Sequence, residues 1–527
     1  MRLMTGIPFR KYHSFQKVSQ LFRHNKSMKN HSHAVKILTL TSTATGRLIA
    51  ASMIFLSALC SAQTPDPEKP TVQMGFSAPF VDNAIIQQQI PLPVWGTTDS
   101  EAKVTLVFKN QTKSTTAQKD GSWKIVLDSM PAERLKSVND NPVGDTMTVT
   151  FEKAGMKATK EARNVVLGDI WLCAGQSNMA GGLRTNKSGH YPEDTLEKAN
   201  YPALRQYSTG SESWLICTPE TAPNFRRTAF YFARRLQQDI LIPVGLIVTA
   251  VGGSGIDSWL NQEPYPTGSN YSTLVAPLVG YGIRGTIWYQ GESNEKDRRN
   301  YQPKLESLIT GWRKAWNQGD FPVHFVQLPG IGSSSLDNPV GGDGRAEIRQ
   351  AYTATLALKN TGMAVTIDVG AVGEHPPNKY DTGERLARSV LQKVYDFKDL
   401  TTCPLYTKHA IKGSSIRVSF DNAKSGLMVA KKEGFLPPAP QPNAPIQWLA
   451  IQAKDGTWHW AEGKIDGSDL IVSNKDVTEP IAVRYAYTQH PNGNLLYNKD
   501  NQPVGPFSTI GYGPELPENT EKKPLKK

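Results

Sequence analysis

The sequence predicts a doubly wound α/β domain with a mostly parallel sheet, flanked on both sides by all-β regions. Two observations carry that prediction. Between residues 164 and 400, short continuous apolar runs alternate with segments of helical period, as strands buried on both faces alternate with helices packed on them. On either side of that stretch, short strand-like runs are separated by Gly, Pro, Asn and Asp, with no helical period between them.

From the N-terminus, residues 1–62 hold nine Lys and Arg and no Asp or Glu, and Arg47 precedes an apolar run from Leu48 to Leu59 and then Cys60-Ser61-Ala62. This reads as a basic leader and secretory signal peptide cut after Ala62, with Met28 as an alternative start. The apolar run is too short to span a bilayer, so no stable membrane insertion is expected after cleavage, and the protein should be secreted or periplasmic. The leader also explains the formal charge of +12, because removing its nine positive charges leaves +3 for the remainder. A nearly neutral body argues against a nucleic-acid partner.

Residues 63–163 should form a β-sandwich-like domain, with strands near Leu92–Trp95, Lys103–Phe108, Trp123–Leu127 and Thr146–Phe151. Residues 164–400 form the α/β domain. Its strands are expected at Val165–Cys173, Val244–Ala250, Gly285–Tyr289, Val323–Leu328 and Met363–Ile367. Its helices present apolar stripes at Ala229, Phe232, Ala233 and Leu236, at Leu305, Leu308, Ile309, Trp312 and Trp316, and at Leu386, Val390 and Val394. Stripes of this kind pack on a sheet, so their aromatics are core residues. Residues 401–513 return to β character, and the Glu/Lys/Pro-rich residues 514–527 read as a disordered tail. Past Ala62 there are three cysteines, Cys173, Cys217 and Cys403, too few for a disulfide framework and with no zinc-ligand spacing.

Four runs carry residue types suited to acyl transfer: Gly175-Gln176-Ser177-Asn178-Met179, Gly252-Gly253-Ser254-Gly255, Trp288-Tyr289-Gln290-Gly291-Glu292-Ser293-Asn294 and Glu374-His375-Pro376-Pro377-Asn378-Lys379. Each follows an expected strand, and segments that follow parallel strands emerge at one edge of the sheet. A serine hydroxyl needs a base to become a nucleophile, so Ser177 requires a histidine within reach. The run around Ser177 lacks the second glycine of the G-x-S-x-G elbow, which disfavours the ordinary α/β-hydrolase arrangement.

These runs, together with Trp259, Phe325-Val326-Gln327-Leu328-Pro329, Gly383-Glu384-Arg385-Leu386 and Val483-Arg484-Tyr485-Ala486-Tyr487, resemble the sialate O-acetylesterase family of the SGNH-type carbohydrate esterases. The resemblance implies an SGNH-hydrolase sheet and a serine esterase that removes acetyl groups from a carbohydrate, with no metal and no cofactor. It makes Ser177 the nucleophile and His375 the base. Backbone N–H groups of Ser177 and Gly253 would hold the oxyanion, with the Gln290 amide preferred over that of Asn294 as a third donor. Glu292 would order the loop. The acid of the triad is open, because the position two before the histidine is Gly373, where many family members place an aspartate: Asp368 and Glu374 are the local candidates, and an acid elsewhere or a backbone carbonyl holding the imidazole are the alternatives. Arg184 for a sugar carboxylate, or Trp259 and Tyr281 as stacking platforms, would bear on which sugar is bound. The competing readings are an SGNH lipase or thioesterase with an apolar acyl channel, and a non-catalytic glycan-binding protein.

Overall fold

The computed structural model describes residues 74–183, 196 and 198–511. The leader, Arg184 and the C-terminal tail lie outside the described residues. Among the described residues no helix is long and apolar enough to cross a membrane.

The central sheet is built on one long strand. β1 (Met156–Gly175) starts antiparallel against Asp145–Lys153 in the N-terminal β region and continues, fully buried, into the middle of the α/β sheet. The boundary expected at residue 163 therefore falls inside a continuous strand. The other strands are β2 (Tyr201–Ser208), β3 (Leu215–Cys217), β4 (Val244–Ala250), β5 (Gly285–Tyr289), β6 (Val323–Gln327) and β7 (Thr361–Val365), in the order β3-β2-β4-β1-β5-β6-β7. All neighbours along this path are parallel except β2 and β3, so the sheet is mixed, with an antiparallel strand at one edge.

The one-turn helix α1 (Ser177–Ala180) follows β1 directly. Four longer helices are α2 (Arg227–Ile240), α3 (Tyr301–Trp316), α4 (Gly344–Thr355) and α5 (Lys379–Val394). α2 packs against α5 and α3 against α4. The step from β1 to β4 runs one way along the sheet and the steps β5 to β6 to β7 run the other, so right-handed crossovers place the two helix pairs on opposite faces. Phe232, Leu236, Leu305, Trp312, Leu386 and Val390 are all buried, as their spacing requires. The cysteines Cys173, Cys217 and Cys403 are buried and unpaired.

The N-terminal β region has a three-stranded sheet of Gly75–Phe76, Leu92–Thr97 and Ser122–Leu127, and a second group of Lys103–Phe108, Gln111–Thr116 and Asp145–Lys153 with the start of β1. Val94, Trp123, Ile125, Leu106, Val149 and Phe151 form its core. Residues 406–508 form three small antiparallel sheets.

Register sets where the site can form. Gly175 at the end of β1 lies level with Ala250 at the end of β4 and with Tyr289 at the end of β5. The chain leaving each strand thus starts from one row. Gly175 has φ 138°, and a Cβ there would sit 2.1 Å from the Tyr289 carbonyl oxygen. Only glycine fits this turn, which delivers Ser177 to the edge. Gly175→Ala should cost roughly 2–5 kcal/mol from backbone strain and overpacking, read as a lower denaturant midpoint for unfolding; an unchanged midpoint would show that the turn relaxes.

Candidate functional site

The residues on either side of Ser177 sew the crevice together. The Gln176 N–H donates to the Tyr289 carbonyl at 3.0 Å, and the Gln176 side-chain oxygen accepts from Gln290 Nε2 at 3.2 Å and from the Ser293 N–H at 3.3 Å. Asn178 reaches further. Its Nδ2 donates to Glu292 Oε1 at 2.5 Å and to the Glu374 carbonyl oxygen at 3.1 Å. One amide group next to Ser177 thereby touches the loop after β5 and the peptide that joins Glu374 to His375. The Asn178 carbonyl accepts from the Thr228 hydroxyl at 2.9 Å, anchoring α1 to α2.

The loop after β4 closes the other side. The Val251 N–H donates to the Gly175 carbonyl at 3.0 Å. A Cβ on Gly252 would lie 3.8 Å from that of Ser177, so this backbone passes beside the serine. Gly253 is exposed, with φ 72° and open space where a side chain would project. Backbone there is reachable by a ligand.

The two amides of the loop after β5 differ in their environment. Gln290 is fully buried, and its Nε2 faces Gln176 Oε1, the Ser254 carbonyl and Asn294 Oδ1, at 2.8–3.2 Å, while its Oε1 accepts from the Tyr301 hydroxyl at 2.9 Å. Its hydrogens are committed within the protein, so the preference for Gln290 as an oxyanion donor does not fit this geometry. Asn294 Oδ1 accepts from Gln290 Nε2 and from the Ile256 N–H at 2.9 Å, which fixes the orientation of its amide. Its Nδ2 makes no hydrogen bond within the described residues and lies 3.8 Å from where a Cβ on Gly255 would stand.

His375 is exposed and makes no hydrogen bond among the described residues. Neither acid expected beside it contacts its ring. Both oxygens of buried Asp368 are held by Arg385, at 2.6 and 2.7 Å, and Oδ2 also accepts from the Tyr497 hydroxyl at 3.1 Å. Asp368 is instead the counter-ion of a helix arginine. The Glu374 carboxylate is turned toward Arg345, whose Nη2 lies 2.7 Å away, and Arg345 is held as well by Glu295 and the Pro329 carbonyl. The spacing of these acids from the histidine could not reveal their arginine partners.

Electrostatics within the crevice centre on Glu292. Burial raises its carboxyl above the usual range, opposed by the hydrogen bond from Asn178 and by the nearby Arg345 and Lys379 charges. Its Oε2 is buried without a hydrogen-bond partner among the described residues. Buried Lys379 is pushed down to about 7 by desolvation, against the pull of Glu292, with Arg227 lowering it further. Sequence reasoning did not single out Asn178, Lys379 or Arg345, although the first two lie within runs that were marked. Trp259 and Tyr281 are both buried and cannot serve as sugar platforms. Among the described residues no group of three or more His, Cys, Asp or Glu is placed to hold a metal.

The reassignment of Asp368 is open to measurement. Asp368→Asn strips a buried guanidinium of its counter-ion and should destabilise by about 3–5 kcal/mol in chemical denaturation. Esterase turnover per folded molecule should stay within about twofold; a collapse of turnover in a fully folded variant would return Asp368 to the triad.

Comparison with known proteins follows the same residues. Residues 167–392 match the family model described as "Carbohydrate esterase, sialic acid-specific acetylesterase". The chain is 26% identical over 398 residues to sialate O-acetylesterase from Homo sapiens, covering 62% of this chain and 73% of the human protein. Over 424 residues it is 26% identical to the Mus musculus enzyme of the same name, covering 62% of this chain and 75% of the mouse protein. Among solved structures, one described as a novel carbohydrate acetylesterase from Xanthomonas citri is similar, with a TM-score of 0.72 and 27% identity, covering 82% of this chain and 99% of that one.

Proposed function

We propose, from the premise that this chain belongs to the sialate O-acetylesterase family of carbohydrate esterases, that it is a serine esterase hydrolysing O-acetyl groups on a carbohydrate through an acetyl-enzyme. The observation that supports the reading is the bridge made by Asn178, which joins the residue after Ser177 to the peptide before His375. Ser177 attacks the acetyl carbonyl as His375 takes the hydroxyl proton. The oxyanion that forms is met by backbone N–H groups of Ser177 and Gly253 and by Asn294 Nδ2. Gln290 acts behind Asn294, holding its oxygen so that its hydrogens face the crevice.

Collapse of the tetrahedral intermediate breaks the ester bond, and His375 returns the proton to the departing sugar oxygen. Water then attacks the acetyl-enzyme with His375 again as base, and acetate leaves as Ser177 regains its proton. Leader removal at Ala62 and export belong to the same reading, which N-terminal sequencing of the mature protein tests.

Ser177→Ala should lower acetate release from an acetylated sugar by about 10⁴-fold or more with circular dichroism unchanged. Asn294→Ala should lower kcat by about 10²–10³-fold, whereas an unaffected rate would return the donor role to Gln290. A folded Ser177→Ala variant with full activity would sink the serine mechanism, and absence of turnover in the wild type would favour glycan binding. Faster turnover of octanoyl than acetyl esters would favour the lipase reading.

A further inference from the structure

Lys379 occupies a place that physical chemistry discourages. It is the first residue of α5, where the helix dipole is positive and a cation is disfavoured. It is also buried, with 4% of its surface exposed, which penalises the charged amine. Among the described residues no carboxylate lies within ion-pair distance to offset this, and Glu292 acts on it only from further away. Its Nζ makes one hydrogen bond among the described residues, donating to the Pro376 carbonyl at 2.7 Å, and lies 5.6 Å from the centre of the Tyr289 ring. An amine kept here against two penalties holds a single backbone carbonyl.

That carbonyl belongs to the residue after His375. The carbonyl of the residue before it, Glu374, is held by Asn178 Nδ2 at 3.1 Å. The Glu374 side chain is drawn to Arg345 at 2.7 Å. His375 is thus gripped on both flanks while its ring is unpartnered among the described residues. The two grips share a neighbour, because Glu292 bonds Asn178 directly and attracts the Lys379 ammonium.

We propose that Lys379 is a positioning residue for the base: it fixes the Pro376–Pro377 peptide, one unit beyond His375 on its C-terminal side, as Asn178 fixes the Glu374–His375 peptide on the N-terminal side. The imidazole is aimed by backbone held on its two sides instead of by a carboxylate on the ring. This inference rests on the reading of Ser177 and His375 as nucleophile and base. It assigns Lys379 no contact with substrate, so loosening the grip should reduce turnover and leave substrate binding intact.

The test uses the full chain and a soluble acetyl ester, with KM, kcat and thermal midpoint measured for each variant. Lys379→Met keeps the side chain's length and removes the donor. It should lower kcat by about 30- to 100-fold, the scale of a misplacement of about 1 Å, with KM within about twofold. Lys379→Gln, which restores an N–H donor, should recover part of the loss. Asn178→Ala, which releases the opposite flank, should show the same split between kcat and KM. A folded Lys379→Met protein with wild-type kcat overturns the proposal, as does a kcat loss that Gln leaves unrecovered. If both Lys379 variants fail to fold, Asn178→Ala decides, and unchanged kcat there rejects the two-sided grip. Ser177→Ala and His375→Ala run alongside separate the two levels of argument: full activity in either removes the underlying reading, whereas inactivity in both with normal Lys379 and Asn178 variants removes the positioning role alone.

Discussion

The crevice depends on one side-chain amide, that of Asn178. Its two N–H groups reach a carboxylate 114 positions further along the chain and a peptide carbonyl 196 positions further along, joining three segments at one point. In energy the arrangement is close to neutral. A bond to a charged acceptor contributes roughly 1.5–3 kcal/mol and a neutral one roughly 1, whereas the amide oxygen of Asn178 is buried without a partner among the described residues at a cost of roughly 1–3. An interaction of such modest stability that sits directly beside Ser177 is better understood as a device of position.

The fold makes that device possible through register. Since Gly175, Ala250 and Tyr289 lie in one row on three adjacent strands, the loops that follow start from one edge and side chains can bridge them. Behind them is a dry layer of hydrogen bonds. Tyr301 and Tyr352 bond each other at 2.8 Å, Tyr301 bonds Gln290, and Gln290 bonds Asn294. Donors fixed by such a layer before substrate arrives do not have to be reoriented during the reaction, which is where electrostatic stabilisation of a transition state gains over water.

Much of this was legible in the residue pattern, and the failures have a common cause. Continuous apolar runs gave five strands of the α/β sheet but not β2 and β3, and the stripes of Trp312, Trp316 and Leu386 gave the packed faces of its helices, because burial on two faces and burial on one leave different periods. Residue type could not distinguish Gln290 from Asn294. Both are amides after one strand, and only the tertiary enclosure of the first shows its hydrogens to be spent. Asp368 failed for the same reason, since its partner Arg385 lies 17 positions away on a helix and nothing in the spacing marks the pair. Trp259 and Tyr281 have the right rings for sugar stacking, but both are buried. The expected boundary at residue 163 fell within β1 because one strand serves two sheets, a continuity that composition does not register.

The charges around Glu292 extend the argument from geometry to its maintenance. Glu292, Lys379, Arg345 and Glu374 lie about one crevice, yet each is placed differently: Glu374 is largely exposed and satisfied by an arginine, whereas Glu292 keeps an oxygen unpaired among the described residues and Lys379 keeps its amine in a place burial opposes. Replacing such groups with apolar ones of similar size would often stabilise a protein. Together with Asn178 they hold backbone carbonyls on both sides of an exposed histidine, while the acids expected at its ring are taken by arginines. On the proposed mechanism, a base fixed through its backbone would keep both ring nitrogens available, one to exchange protons with Ser177 and the sugar oxygen, and the other to face water as the ring charges.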